Sequence, residues 1–171
     1  NIQTTIKEEP ADLTAATNNT NNNTNNYNNN NNNNNNNIFV TGFTLTGGNT
    51  GKYCADDKDK VICDRDEARS YERFVLEPHD DGTFALIGGR AHKYCADEDD
   101  KVICDRDRVG SWERFTLIPQ SDGTYILKGG QNGKYCRDTG DKVVCDKDSI
   151  GAGNWKRFKL EPHPIPYIVF K

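Results

Sequence analysis

Six cysteines stand in three pairs, Cys54 and Cys63, Cys95 and Cys104, Cys136 and Cys145, nine residues apart in each pair. Thiols at a fixed short spacing can do three kinds of chemistry. They can pack as small buried hydrophobes, join as disulfides, or ligate a metal. A zinc site usually takes four ligands, and the three histidines, His79, His92 and His163, do not recur with the cysteines, so no metal is expected. In a hairpin that pairs residue 56 with residue 61, the two thiols of a pair stand opposite each other on one face. That geometry suits packed thiols and cross-strand disulfides alike. An even cysteine count favours disulfides only in a secreted chain. The expectation is packed thiols in a cytoplasmic protein, with a secreted protein as the alternative if the pairs are oxidised.

Other residue types invite chemical readings that their spacing does not sustain. The acidic turns "DDKD" and "DEDD" are oxygen-rich, but they lack the alternate ligand positions, central Gly and distal Glu of a calcium loop, so they read as solvated turns. No Gly-rich phosphate loop occurs, and no Ser or Cys is accompanied by a recurrent His and acid. Carboxylates abound, but nothing sets two of them across a cleft as glycoside hydrolysis requires. The chain is therefore expected to be non-catalytic and to carry no cofactor. The triplets Asp64-Arg65-Asp66, Asp105-Arg106-Asp107 and Asp146-Lys147-Asp148 read as structural, with Arg65 and Arg106 pairing to acids such as Glu72 and Glu113. Tyr71, Trp112 and Trp155 hold equivalent positions and are expected to pack, although an exposed aromatic there could stack on a sugar. Arg73, Arg114, Lys156, Arg157 and Lys159 alternate with apolar residues. They are the candidate ligand-binding set for an anionic partner.

These residues recur because the chain repeats. The segment "KYCADDKDKVICDRD" from Lys52 returns as "KYCADEDDKVICDRD" and again as "KYCRDTGDKVVCDKD", each time forty-one residues on. Between 51–78 and 92–119, nineteen of twenty-eight residues are identical. The third copy gains two residues in "SIGAGNW", so Trp155 lies forty-three after Trp112. A fixed period of this size marks a repeat architecture. Within each copy, apolar residues alternate over four short runs, for example Phe43 and Leu45, Val61 and Cys63, Phe74 and Leu76. Gly-Gly, acidic and "DGT" turns separate the runs. Four strands per copy predict twelve in all. Three such units bury their apolar faces by closing about a common axis as an all-β, pseudo-threefold β-trefoil. A three-bladed propeller is the rival, but propellers begin at about four blades.

The residues "GKY", "DRD" and "WERF" followed by Leu117 resemble the fascin-like trefoils, a group that includes fascin and the hisactophilins, over about 120 residues from Phe43 to Pro162. The resemblance implies a non-catalytic module associated with the cytoskeleton, with filamentous actin as partner. The alternative is a carbohydrate-binding, lectin-like trefoil with a glycan partner, forming the C-terminal part of a larger protein. Three histidines do not suit the pH switch of the His-rich hisactophilins.

Composition bounds the rest. From Asn18 to Asn37, seventeen of twenty residues are Asn, a composition with no apolar surface to offset the entropy of ordering. The expected organisation is a disordered Asn-rich tail over 1–37 and one trefoil domain over 38–171. Its repeats are expected at 43–83, 84–124 and 125–163, with a C-terminal strand at 164–171 that lies close to "IFVTG", pairing with it or covering the open end of the barrel. From Phe43 to His163 there are twenty basic and twenty-three acidic residues, a balance that argues against nucleic acid as partner. No apolar run approaches the ~20 residues of a membrane span.

Overall fold

The computed structural model describes residues 41–163. The tail expected over 1–37, the domain start at 38–40 and the strand expected over 164–171 lie outside the described residues, as does the expected closeness of the two ends.

Alternation of apolar and polar residues, broken by Gly and Asp turns, gives twelve strands. The first repeat forms β1 (Thr41–Thr46), β2 (Tyr53–Asp57), β3 (Lys60–Arg65) and β4 (Arg73–Pro78). The second forms β5 (Phe84–Ile87), β6 (Tyr94–Glu98), β7 (Lys101–Arg106) and β8 (Thr116–Pro119). The third forms β9 (Tyr125–Lys128), β10 (Tyr135–Asp138), β11 (Val143–Lys147) and β12 (Lys159–Pro162). Among the described residues the one helical turn is a 3-10 turn at Ser70–Glu72. None is long and apolar enough to cross a membrane.

Six strands close a barrel in the order β1-β4-β5-β8-β9-β12, with β12 returning to β1. Phe43 pairs with Phe74 on β4, and Leu45 with Leu160 on β12. The first and last strands of each repeat are bridged in the same way: Phe84 and Phe115 exchange backbone hydrogen bonds at 2.8 Å, Tyr125 and Phe158 do so at 2.8 and 2.9 Å, and the repeats are joined by β4 with β5, β8 with β9 and β12 with β1. This closure leaves no barrel edge unpaired and rules out separate propeller blades. The hairpins β2-β3, β6-β7 and β10-β11 cap one end, where β3, β7 and β11 touch one another. The chain is a β-trefoil.

The fifteen side chains expected to form the core do so. Phe43, Leu45, Val61, Phe74, Leu76 and their counterparts in the other two repeats are all buried in one cluster, together with the six cysteines. At ~1.5–3 kcal/mol per buried side chain, this layer is the main source of stability. The void left on the axis is about 10 Å³. That holds at most a single water, so the barrel interior is a packed core and any ligand must bind outside it.

Candidate functional site

Cys54 lies directly opposite Cys63, as the proposed hairpin register of Asp56 with Val61 requires. The same holds for Cys95 with Cys104 and for Cys136 with Cys145. All three pairs are disulfides, and no described cysteine is free. The expectation of packed thiols is thus corrected: the thiols do sit in the core, but the close approach of facing strands brings each pair within bonding range.

The charged triplets are structural, as expected. The Arg65 guanidinium spans Asp64 at 2.8 Å, Glu72 at 3.4 Å and Asp57 at 3.6 Å. Arg106 likewise meets Asp105, Glu98 and Glu113. The third residue of each triplet ties down the lysine before the preceding strand, in the pairs Asp66–Lys52, Asp107–Lys93 and Asp148–Lys134.

The acidic turns are not uniformly solvated. Asp56, Asp97 and Asp138 are fully buried threefold equivalents. Each reaches into the Gly-Gly loop of the next repeat. Asp56 Oδ2 accepts the backbone N–H of Arg90 at 3.1 Å, and Asp97 Oδ2 that of Gln131 at 3.1 Å. Asp138 Oδ2 accepts from Thr50 through its backbone N–H at 3.2 Å and its hydroxyl at 3.0 Å. The loops have no room for a side chain: a Cβ at Gly47, Gly88 or Gly129 would collide with the aspartate that clasps it. Burial raises the pKa of Asp56, and raises that of Asp97 to about 6. A carboxyl so poised is a candidate general acid. These two are sealed beneath glycine loops, however, and hold backbone N–H groups instead.

The outer surface carries a different feature. Tyr71, Trp112 and Trp155 are 42%, 42% and 49% exposed, which corrects the expectation that they pack. It is the backbone that packs at these positions: the Trp112 carbonyl accepts from Asp97 N–H at 2.9 Å, and the Trp155 carbonyl from Asp138 N–H at 2.8 Å. The rings are left facing solvent, one per repeat. Tyr71 is partly covered by the Arg90 guanidinium, 5.5 Å from its ring centroid.

Beside Trp155 a surface pocket of about 310 Å³ is lined by Arg137, Lys147, Ala152, Gly153 and Lys156. Its wall is the two-residue insertion, in which Gly151 and Gly153 take φ of +60° and +113°, a left-handed backbone that favours glycine.

The five cations expected to bind a ligand are not gathered. Arg73, Arg114 and Arg157 are threefold equivalents and so are distributed around the barrel. Arg114 pairs with Asp81 at 3.1 Å, Arg157 lies 3.9 Å from Asp122, and Lys159 pairs with Glu161 at 2.6 Å. Of the five, Lys156 alone lines the pocket. Arg137 and Lys147, its neighbours there, were not in the expected set. The insertion in "SIGAGNW" was the signal that could have pointed to them.

No family model matches the chain, and no curated protein matches its sequence. Solved structures do match in fold. The chain is similar to a designed threefold-symmetric protein, ThreeFoil, with a TM-score of 0.62 at 20% identity, over 70% of this chain and 97% of that one. It is similar to SeviL bound to asialo-GM1 saccharide, with a TM-score of 0.58 at 15% identity, over 71% of this chain and 97% of that one. It is also similar to the GlcNAcα1-4Gal releasing endo-β-galactosidase from Clostridium perfringens, with a TM-score of 0.62 at 14% identity, over 72% of this chain and 32% of that one. At these identities the likeness is one of fold.

Proposed function

We propose that this domain is a non-catalytic carbohydrate-binding trefoil, in which Trp112, Trp155 and, less openly, Tyr71 offer ring faces to sugars. The observation that carries this reading is the solvent exposure of three equivalent aromatics on an otherwise packed fold. The same position presents an exposed ring in each of the three repeats, and the flat apolar face of such a ring with its polar edge suits a pyranose. The saccharide named with SeviL and the enzyme activity named with the clostridial protein lend support by analogy of fold. The sealed position of Asp56 and Asp97 favours binding over catalysis.

The actin-associated reading draws on the fascin-like motifs. It is the weaker of the two, because the cations that would serve it are dispersed and largely paired within the chain. Three disulfides favour a secreted setting over the cytoplasm. The test is retention of the purified chain on immobilised polysaccharides and a glycan array, beside co-sedimentation with filamentous actin. Glycan retention lost in the double variant W112A/W155A is expected; co-sedimentation without any glycan retention would reverse the assignment.

A further inference from the structure

The three repeats are alike in most of their charge chemistry but not around the exposed aromatic. Beside Trp155 stand Arg137, Lys147 and Lys156; the equivalent positions are Ala55, Arg65 and Glu72 in the first repeat, which carries Tyr71, and Ala96, Arg106 and Glu113 in the second, which carries Trp112. In the first two repeats the charges cancel locally. Glu72 and Glu113 are buried. Each receives the arginine, at 3.4 and 3.5 Å. Each also accepts a backbone N–H from its own loop, Arg69 at 3.1 Å and Gly110 at 2.9 Å. In the third repeat the glutamate has become Lys156, and an additional cation, Arg137, replaces the alanine. Asp146 grips Arg137 with both oxygens at 2.8 Å and meets Lys147 only through a weaker charge–charge attraction. Lys147 and Lys156 make no ion pair among the described residues. Asp148, the next acid along, is held by Lys134 at 3.3 Å.

We propose that the pocket beside Trp155 binds the acidic group of an anionic saccharide, a carboxylate or a sulfate ester, against Lys147 and Lys156 while the indole carries the sugar ring. This rests on the carbohydrate-binding reading and narrows it to one repeat and one ligand class. Two lysines outside any ion pair among the described residues line a concavity of about 310 Å³, together with the Asp146-bound Arg137 and with Trp155, Ala152 and Gly153. Lys156 is half-buried beneath the insertion, its Nζ 3.7 Å from where a Cβ on Gly151 would lie. Partial burial of a cation without a counter-charge is unfavourable and is relieved by an anion. Two ammonium groups and one aromatic face match a ring that bears one negative substituent. The dispersed charges elsewhere on the surface do not suit a long polyanion.

The experiment uses the full chain with Trp112→Phe, so that Trp155 is the single indole and its fluorescence reports this pocket. The probes are 3′-sialyllactose and a sulfated heparin disaccharide, each against its neutral counterpart, and inorganic sulfate alone. The acidic saccharides are expected to bind about tenfold tighter than the neutral ones, as one charge-assisted contact allows. The preference should weaken as NaCl rises toward 0.5 M. Lys156→Glu, which restores the residue found in the first two repeats and gives Lys147 a partner, should abolish it. Lys156→Gln serves if that variant fails to fold. Whichever acidic probe binds identifies the substituent. Equal affinity for acidic and neutral sugars overturns the inference, as does sulfate binding as tightly as the saccharides, or no response of Trp155 to any probe. Glycan-array retention of the unaltered chain judges the broader reading separately.

Discussion

Asp97 crosses from the second repeat into the third, where its carboxylate accepts the backbone N–H of Gln131 at 3.1 Å while only 1% of the residue is exposed. With its equivalents Asp56 and Asp138 it forms a cycle, each repeat clasping the next and the third clasping the first. A shielded carboxyl is poorly solvated as an anion, which is why burial lifts Asp97 to about 6. Its Oδ1, buried without a hydrogen-bond partner among the described residues, adds to the disadvantage of the ionised form.

Stability should therefore depend on pH through Asp97. The native chain holds this proton more tightly than the unfolded chain, whose carboxyl titrates near 3.8. The resulting stabilisation is complete below that value and is lost as pH rises through about 6. Asp56, raised in the same direction, adds to the trend. In urea melts at pH 4.5 and pH 7, the gap between the native chain and Asp97→Asn should shift in favour of the asparagine variant at pH 7. The shift between these two pH values is expected to be on the order of 2 kcal/mol at most. A gap independent of pH would refute the assignment.

Gly129→Ala should disrupt the same clasp. The added methyl would meet the Asp97 carboxylate and lie 2.8 Å from Cys145 Cβ. Neither neighbour is a flexible chain end, so the loop must move and the Gln131 hydrogen bond must break. A loss of about 2–4 kcal/mol is expected in chemical denaturation. Retained stability would show that the loop does not close on Asp97.

The cysteines give a chemical test. Thiol titration in denaturant should find none free before reduction and six after it. Each disulfide closes a loop of about ten residues, for which loop-closure entropy implies ~2–3 kcal/mol. Cys95→Ala with Cys104→Ala should lower the melting midpoint accordingly. Six free thiols in chain purified without reductant would return the protein to the cytoplasmic reading.

Core and surface aromatics should respond in opposite ways. Phe115→Ala, at a fully buried position, should cost about 3–5 kcal/mol. Trp112→Ala removes a larger side chain from an exposed position and should cost under about 1 kcal/mol. A large loss at Trp112 would mean that its ring packs after all and would remove the basis for glycan stacking.

Much of this architecture was legible because the period of forty-one residues places Phe43, Phe84 and Tyr125 on the same environment three times over. Alternation then assigned each core side chain its facing. The aspartate cycle was missed for a physical reason. In the sequence Asp56 reads as part of the turn that follows it, yet it lies two residues from Cys54 and so shares the inward face of β2. Hydropathy argues against burying an acid, and only the opposing glycine loop makes that burial tolerable. The pocket at Trp155 was hidden differently. It arises from an insertion and from three substitutions scattered over twenty residues, a departure from the repeat that matters only once the fold brings its parts together.

β1 and β12 lie side by side, with His163 N–H donating to the Gly42 carbonyl at 2.8 Å. The points where the chain enters and leaves the described barrel are therefore separated by little more than the ~5 Å between paired strands. A host protein could accept this unit within one of its own surface turns without opening that turn, so the module is suited to being carried mid-chain as a plug-in as well as at a terminus.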